Sequence, residues 1–236
     1  MYGILFKFVV FQFKLFANNV TKFGAPGNRT PLKKLEFMNT KFPIPNYNNR
    51  KERNIFFLKL LNNNFSNIKT ILNLGGGQKR YLKDSHFKVT EVDLSGDNDL
   101  NLDLDKIPKI PLNDKSFDAV VALDVLEHLE NFHFILNEMN RISNKYIFIS
   151  LPNSFGSFFD IIFNRKGNDE FNNGFYNKFY GLPLQKPIDR HRWFLTISDI
   201  ERFFDHYCKE KKLKVNFLLP KTNSLKSKIL SLFLNK

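Results

Sequence analysis

The chain is poor in cysteine, because its 236 residues include only one, Cys208. A single cysteine excludes a disulfide bond within the chain and suits a reducing compartment, so we expect a cytoplasmic location. The start of the chain also lacks an uninterrupted apolar run of membrane-spanning length. Residues 1–20 are rich in apolar side chains, but Lys7, Gln12 and Lys14 interrupt them. A transmembrane helix needs about 20 predominantly apolar residues, and this segment is too broken to be one.

Two nucleotide-binding motifs are absent as well. The glycine-rich segment GGGQKR at 75–80 has no Gly-Lys-Ser/Thr ending, which excludes a P-loop. It also lacks the G-x-G-x-x-G spacing of dinucleotide-binding enzymes. The sequence therefore disfavours an oxidoreductase of that class.

Acidic residues are in deficit, with 23 against 36 basic ones, and the net charge is +13. The first 53 residues carry +8 and the last 28 carry +7, whereas residues 54–208 carry −2. An enzyme that acts on nucleic acid concentrates positive charge beside its site. The distribution disfavours nucleic acid as a partner without excluding it. The basic ends suit peripheral contact with the inner face of a membrane.

The two ends of the chain are interpreted as accessory segments. Five apolar residues near the start follow helical spacing, which predicts a basic amphipathic surface helix: Phe6, Val9, Val10, Phe13 and Phe16. The sequence GAPGNRTP at 24–31 resembles the translation of a transfer-RNA gene, and Met38 offers an internal start. We therefore predict that residues 1–37 are dispensable, and we assign 1–47 to an extension and linker. The tail 220–236 is either a shortened end of the domain or a basic amphipathic helix.

The stretch ILNLGGGQKRYL at 71–82 organises the rest of the chain. It begins with a short apolar run, as in a strand buried in a parallel sheet, and continues with three consecutive glycines. Without a Cβ, these glycines let the backbone turn sharply and let a ligand approach it closely. Asp93 ends the next apolar run, where an acid accepts both ribose hydroxyls of a bound nucleotide. The alternative is that Asp93 only opens a turn.

Apolar runs and helical periodicities alternate along the chain. Strands are predicted at 69–74, 88–93, 100–104, 117–123, 145–151 and 213–219. Helices are predicted at 50–64, 78–84, 125–141 and 197–211. The first helix is expected to bury one face, formed by Ile55, Leu58, Leu61 and Phe65. Strands that alternate with helices predict an α/β fold, with a doubly wound, mostly parallel, Rossmann-like sheet in a domain spanning 48–219.

Four segments in order carry a more specific signal: ILNLGGG, EVDLS, NLDLD and NDKSFDAVVALDVLEHL. They resemble the successive motifs of class I S-adenosylmethionine-dependent methyltransferases, particularly the type-11 group. The resemblance implies a seven-stranded sheet with an antiparallel last strand, S-adenosylmethionine as the cofactor and methyl transfer as the reaction. It also implies that Asp93 takes the ribose hydroxyls and Asp103 the adenine amino group, whereas Asp105 is expected to be a solvated charge. The residues expected to bind the cofactor are Asn73, Gly75, Gly76, Gly77, Asp93, Leu94, Asp103, Leu104 and Leu123.

Two positions depart from the family pattern. Asn73 stands where the family usually has an acid that takes the methionine ammonium, and Lys79 stands where it has a further glycine. Asn73 can accept a hydrogen bond through its amide oxygen but carries no charge. A charge-assisted hydrogen bond is roughly twice as strong as a neutral one, so the departure bears on cofactor affinity.

A long segment at about 152–195 follows the fifth predicted strand and is dense in aromatic side chains. Open α/β sheets place their ligand crevice at the carboxyl ends of the strands, and a segment this long in a compact domain is usually functional. We interpret it as a lid over the methyl acceptor; the alternative is a small satellite core. Within it, His191 is the first candidate general base and Tyr180 the second catalytic candidate.

A metal site is a further hypothesis. Asp124, Glu127 and His128 stand at i, i+3 and i+4, which places them on one face of a helix that begins at Asp124. With His191 from the lid they would suit Mg²⁺ or Mn²⁺. The arrangement resembles the Glu-x-x-Glu-His plus distant His pattern of small-RNA 2′-O-methyltransferases and ubiquinone-biosynthesis O-methyltransferases. The alternative is that Glu127 and His128 only cap and brace the helix.

Three functional classes remain open. The near-neutral core and the aromatic lid favour methyl transfer, at oxygen, to a small molecule or to a saccharide or lipid precursor of the cell envelope. The charged ends support an RNA methyltransferase. The uncharged Asn73 supports a non-catalytic protein that binds S-adenosylmethionine.

Overall fold

Seven strands and three α-helices make up the part of the chain that the computed structural model describes. The described residues are 7–13, 45, 47, 49–76, 81–82, 85–152, 154 and 190–218. The strands are β1 (Lys7–Phe13), β2 (Thr70–Leu74), β3 (Lys88–Asp93), β4 (Leu100–Asn101), β5 (Phe117–Leu123), β6 (Ser143–Pro152) and β7 (Lys214–Leu218). The helices are α1 (Arg50–Asn64), α2 (Phe132–Ile142) and α3 (Ile197–Glu210), with one 3₁₀ turn at Leu126–His128. No helix among these residues is long and apolar enough to cross a membrane.

The strands form one sheet in the order β4-β3-β2-β5-β6-β1-β7, and every neighbouring pair is parallel. From β2 the chain builds outward through β3 to β4, and it then returns to the other side of β2 with β5. The strand order therefore reverses between β2 and β5. A parallel sheet opens a ligand crevice at the carboxyl ends of the strands on either side of such a reversal.

Helices cover both faces of the sheet, which confirms the predicted doubly wound α/β class. On one face, Phe57 of α1 shares a buried cluster with Val121 of β5. On the other face, Met139 of α2 and Phe204 of α3 share a second cluster with Val120. Successive residues of a strand point to opposite faces, so a strand buried on both sides is apolar throughout.

The predicted buried face of α1 is wrong in its first half. Leu61 and Phe65 are buried as expected, but Ile55 is 43% exposed, and Phe57 is buried instead. Leu58 only packs against the edge of the core. The reason is that apolar side chains surround most of this helix, so helical periodicity does not select a single face.

The prediction of a helix near the start of the chain is wrong for residues 7–13, which form β1. This strand pairs along its full length with β6 and along most of it with β7. Its sequence KFVVFQF is rich in β-branched and aromatic residues, which favour strands. The expected antiparallel last strand is also not seen among the described residues, because β7 is parallel to β1. The tail 219–236 lies outside the described residues.

The predicted helix 125–141 begins seven residues late, at Phe132. Asp124 adopts a left-handed backbone conformation with φ +54°, and it turns the chain away from a helical path. The start of α2 is held instead by Asp105, whose Oδ1 accepts from the Asn131 backbone N–H at 3.1 Å and whose carbonyl accepts from Asn131 Nδ2 at 2.6 Å. Asp105 therefore has a structural role beyond that of the expected solvated charge.

Of the predicted short helix 78–84, the structure describes only Tyr81 and Leu82, which lie in a turn.

Candidate active site

The glycine turn lies at the carboxyl end of β2, on the edge of the sheet where the strand order reverses. Gly75 has φ +68° and donates its backbone N–H to the carbonyl of Val92 in β3 at 2.7 Å. A Cβ on Gly75 would lie 2.4 Å from Val125 Cγ2, and a Cβ on Gly76 would lie 1.8 Å from Glu91 Oε2. Both positions therefore require glycine. Neither residue carries a side chain, so a ligand can approach the backbone of the turn closely.

Beneath the turn, Asn73 and Glu91 form a buried polar pair that bridges β2 and β3. Asn73 Nδ2 donates to Glu91 Oε2 at 2.7 Å, and the two residues are direct partners in the strand register. Glu91 is completely buried and Asn73 is 6% exposed. Sequence reasoning missed Glu91. The available signal was an acid two positions before Asp93, between Thr90 and Val92 of the same strand.

Asp93 is the last residue of β3 and lies half-buried at the same edge of the sheet. Its Oδ1 accepts from the backbone N–H of Leu94 at 2.6 Å, and Leu94 is 64% exposed. The position next to the glycine turn fits the predicted ribose contact. Gly77 lies outside the described residues.

Asp103 follows β4, farther along the same edge. Its Oδ2 pairs with Lys106 Nζ at 2.8 Å, and its Oδ1 accepts from the Asp105 backbone N–H at 3.1 Å. The hydrogen bond from Lys106 holds the pKa of the Asp103 carboxyl below its usual value. Leu104 is buried in one of the two core clusters and Leu123 in the other.

Asp124, predicted as a metal ligand, instead forms an ion pair with Arg53 at the end of β5. One carboxylate oxygen bonds Arg53 of α1, and the other accepts from the Ser150 hydroxyl of β6. The Arg53 side chain is 8% exposed and that of Asp124 is 21% exposed. Burial, and then the charge of Asp124, raise the pKa of the nearby Tyr47 well above its ordinary value, so this phenol stays neutral. Both oxygens of Asp124 are committed to protein contacts, and Asp124 therefore leaves the proposed ligand set.

The other three predicted metal ligands do come together. Glu127, His128 and His191 each offer one ligand atom, and these atoms lie within 4.8 Å of one another. The two imidazole rings meet edge to face, with centroids 4.5 Å apart. Glu127 is 1% exposed, and its Oε1 lies 3.8 Å from His128 Nε2. The cluster begins two residues after Val125, which packs on Gly75, so it lies beside the glycine turn.

Hydrogen bonds attach the carboxyl end of the predicted lid segment to the 3₁₀ turn Leu126–His128 and to Leu129, which follows it. The backbone N–H of Arg192 donates to the Glu127 carbonyl at 2.7 Å, and Trp193 Nε1 donates to the Leu129 carbonyl at 2.6 Å. These two bonds place His191 against His128. The rest of the lid, residues 155–189, lies outside the described residues, and with it the catalytic candidate Tyr180.

The two ends of the lid also meet each other. The Ser154 backbone N–H donates to the Leu195 carbonyl at 2.8 Å, and the Leu195 N–H donates to Ser154 Oγ at 3.1 Å. Ser154 is completely buried. The two described ends of this segment are therefore adjacent.

Comparison with known proteins places this region in a known family. A family model described as a methyltransferase domain matches residues 72–146. Among solved structures, a SAM-dependent methyltransferase from Aquifex aeolicus is 21% identical over 34% of this chain and 55% of that chain, with a TM-score of 0.28. A complex between a methyltransferase activator and a putative methyltransferase from Haloferax volcanii is 21% identical over 32% of this chain and 40% of that chain, with a TM-score of 0.25. No curated protein sequence matches the chain.

The family match runs from β2 into β6, so it contains the glycine turn and both acids at the edge of the sheet. This chain spans little more than half of the first solved structure and less than half of the second. The motifs and the matched region agree. Residues 72–146 of this chain therefore match a methyltransferase domain, as the sequence motifs within that region predict.

Proposed function

We propose that the protein transfers the methyl group of S-adenosylmethionine to a hydroxyl of a small-molecule acceptor, such as a saccharide or lipid precursor of the cell envelope. The observation that supports this most directly is the cluster of Glu127, His128 and His191 beside the glycine turn. A methyl donor on the turn and an acceptor on the cluster would share one crevice. We propose a cytoplasmic location, with the basic ends of the chain near a membrane surface.

The residues present fit the cofactor. The bare backbone at Gly75 and Gly76 leaves room for close approach, and Asp93 and Asp103 follow along the same edge of the sheet. Asp93 would accept from the ribose hydroxyls and Asp103 from the adenine amino group. The cofactor supplies an electrophilic methyl on a sulfonium. The protein's part is to align the acceptor and keep water out.

The cluster fits a divalent cation of intermediate hardness. Two imidazoles and one carboxylate suit Mn²⁺ better than Mg²⁺, which prefers oxygen ligands. Glu127, His128 and His191 would hold the ion. A bound cation would lower the pKa of an acceptor hydroxyl, so a separate general base is not needed. In this proposal His191 is a ligand instead of a base.

The charge of the domain supports a small acceptor over RNA. Residues 54–208, which contain the described crevice, carry a net charge of −2. A long polyanion would meet little positive charge there, since nucleic-acid sites are lined by Lys and Arg. We therefore propose a neutral or weakly charged acceptor.

The metal hypothesis predicts a specific pattern of Mn²⁺ binding. Wild-type protein stripped with chelator should bind one Mn²⁺, measured by titration calorimetry or by the loss of the free-ion resonance signal. His128→Ala and His191→Ala should each weaken that binding by at least about tenfold, because each removes one of three ligands.

A matched control is His206→Ala, since His206 is exposed on α3. It should bind Mn²⁺ as the wild type does. Methyl transfer from labelled cofactor to a panel of hydroxyl acceptors should likewise fall in His128→Ala and His191→Ala and stay at the wild-type level in His206→Ala. Equal Mn²⁺ affinity in all four proteins, or transfer that chelation leaves unchanged, would remove the metal from the proposal.

A further inference from the structure

A buried carboxylate lies directly beneath the glycine turn and belongs to no role described so far. Glu91 is 0% exposed, and its Oε2 would lie only 1.8 Å from a Cβ on Gly76. The carboxylate fits there because position 76 has no side chain. Burying a charged group in this place is costly, so a function for it is expected.

The carboxylate fixes the orientation of the Asn73 amide. Asn73 Nδ2 donates to Glu91 Oε2 at 2.7 Å. An ionised carboxylate only accepts hydrogen bonds, so the amide must present its –NH₂ group to Glu91 and its Oδ1 in another direction. Asn73 precedes the turn by two residues, at the carboxyl end of β2. The amide oxygen Oδ1 is thereby turned away from Glu91, on a residue that lies two positions before the glycine turn.

We propose that Asn73 and Glu91 act together to recognise the ammonium group of the cofactor's methionine portion. Asn73 Oδ1 accepts the hydrogen bond. Glu91 is a positioning residue that orients the amide and contributes the negative charge that an asparagine lacks. The acid has in effect moved from β2 to the neighbouring strand β3, where the register places it directly opposite Asn73. This inference rests on the proposed function and deepens it.

Two ligands that differ only in the amino-acid portion separate this role from a merely structural one. S-adenosylhomocysteine carries the ammonium group, whereas 5′-methylthioadenosine has the same adenosine and a thioether but no ammonium. Glu91→Gln keeps the shape of the side chain, removes its charge and lets the Asn73 amide turn over. The dissociation constant of S-adenosylhomocysteine should rise by at least about tenfold, the usual effect of losing a charge-assisted hydrogen bond. That of methylthioadenosine should change by less than about twofold.

Moving the charge back to β2 should rescue binding. In the double variant Asn73→Asp with Glu91→Gln, the carboxylate introduced on β2 can accept from the amide introduced on β3 and still face the ligand. We expect its affinity for S-adenosylhomocysteine to return to within about threefold of the wild type. Asn73→Asp alone should bind poorly and melt at a lower temperature, because two carboxylates would then stand in hydrogen-bond contact and repel each other.

The control is Glu138→Gln, which removes another buried carboxylate. Glu138 is 7% exposed and is held by Arg141 and by the Ile110 backbone N–H, on α2 and away from the turn. This variant should melt at a lower temperature and leave both dissociation constants unchanged. If Glu91→Gln does not fold, Asn73→Ala takes its place, since it removes the acceptor itself. It must weaken the binding of S-adenosylhomocysteine more than the binding of methylthioadenosine.

Three results would overturn the inference. The first is an unchanged affinity for both ligands in Glu91→Gln or Asn73→Ala. The second is an equal loss for both ligands, which would mean that Glu91 only supports the turn. The third is failure of the wild type to bind either ligand, which would contradict the proposed function as well. Binding of S-adenosylhomocysteine that Glu91→Gln leaves intact would contradict this inference alone.

Discussion

At the scale of single residues, the acids of this chain divide by what their oxygens contact. Asp124 accepts a hydrogen bond from Arg53 at one oxygen and from Ser150 at the other, and it thereby links α1 and β6 to the end of β5. Glu127 lies three residues farther on and belongs instead to the histidine cluster. The sequence Asp-Val-Leu-Glu-His does not distinguish these roles. The distinction comes from the left-handed backbone at Asp124, which separates the two carboxylates.

The ion pair predicts a large stability cost for Asp124→Asn. Asparagine tolerates the left-handed conformation, so the change removes charge without adding backbone strain. It removes the negative charge that Asp124 places beside the buried Arg53 guanidinium, which should cost about 3 kcal/mol of unfolding free energy. Urea unfolding followed by circular dichroism measures this change.

Asp114→Asn is the matched control for that substitution. Asp114 also pairs with an arginine, Arg141, but its side chain is 69% exposed, and Arg141 keeps its second partner Glu138. Exposed ion pairs contribute little, so we expect a much smaller change in unfolding free energy than for Asp124→Asn. Equal costs for the two variants would show that Asp124 does not stabilise the domain through its charge.

At the scale of secondary-structure elements, β1 is the largest departure from expectation. It lies between β6 and β7, so without it these two strands would not be connected within the described sheet. The segment KFVVFQF fits both an amphipathic helix and a strand, because apolar residues fill most of its positions. Pairing with strands far away in the sequence decides between the two, and that pairing cannot be seen locally.

The role of β1 predicts that the first residues matter for stability. A protein that starts at Met38 lacks β1 and exposes the edges of β6 and β7 to water. We expect its melting temperature to fall by at least about 5 °C, which corresponds to a few kcal/mol for a domain of this size. A variant with Lys41→Ala in the full chain, which leaves β1 intact, serves as the control. An unchanged melting temperature in the shortened protein would support the expectation that residues 1–37 are dispensable.

At the scale of the whole molecule, the sequence predicted the sheet and the crevice better than the contacts within them. A strand is found at each of the six predicted places. The clearest is β5, because its AVVAL is the continuous apolar run expected of a parallel strand buried on both faces. The meeting of His191 with His128 was also anticipated, since both were assigned to the carboxyl edge of the sheet. The pairing of Asn73 with Glu91 was not anticipated, because it depends on the register between two strands. The late start of α2 was missed because it depends on one backbone angle at Asp124.

The central claim is that the glycine turn and the acids beside it bind S-adenosylmethionine, and calorimetry tests it most directly. The wild type should bind one S-adenosylmethionine per chain and show no comparable heat with NAD. Asp93→Ala should weaken that binding by about 1–3 kcal/mol, because it removes the acceptor for the ribose hydroxyls. No binding by the wild type, equal binding of NAD, or full affinity in Asp93→Ala would contradict the claim.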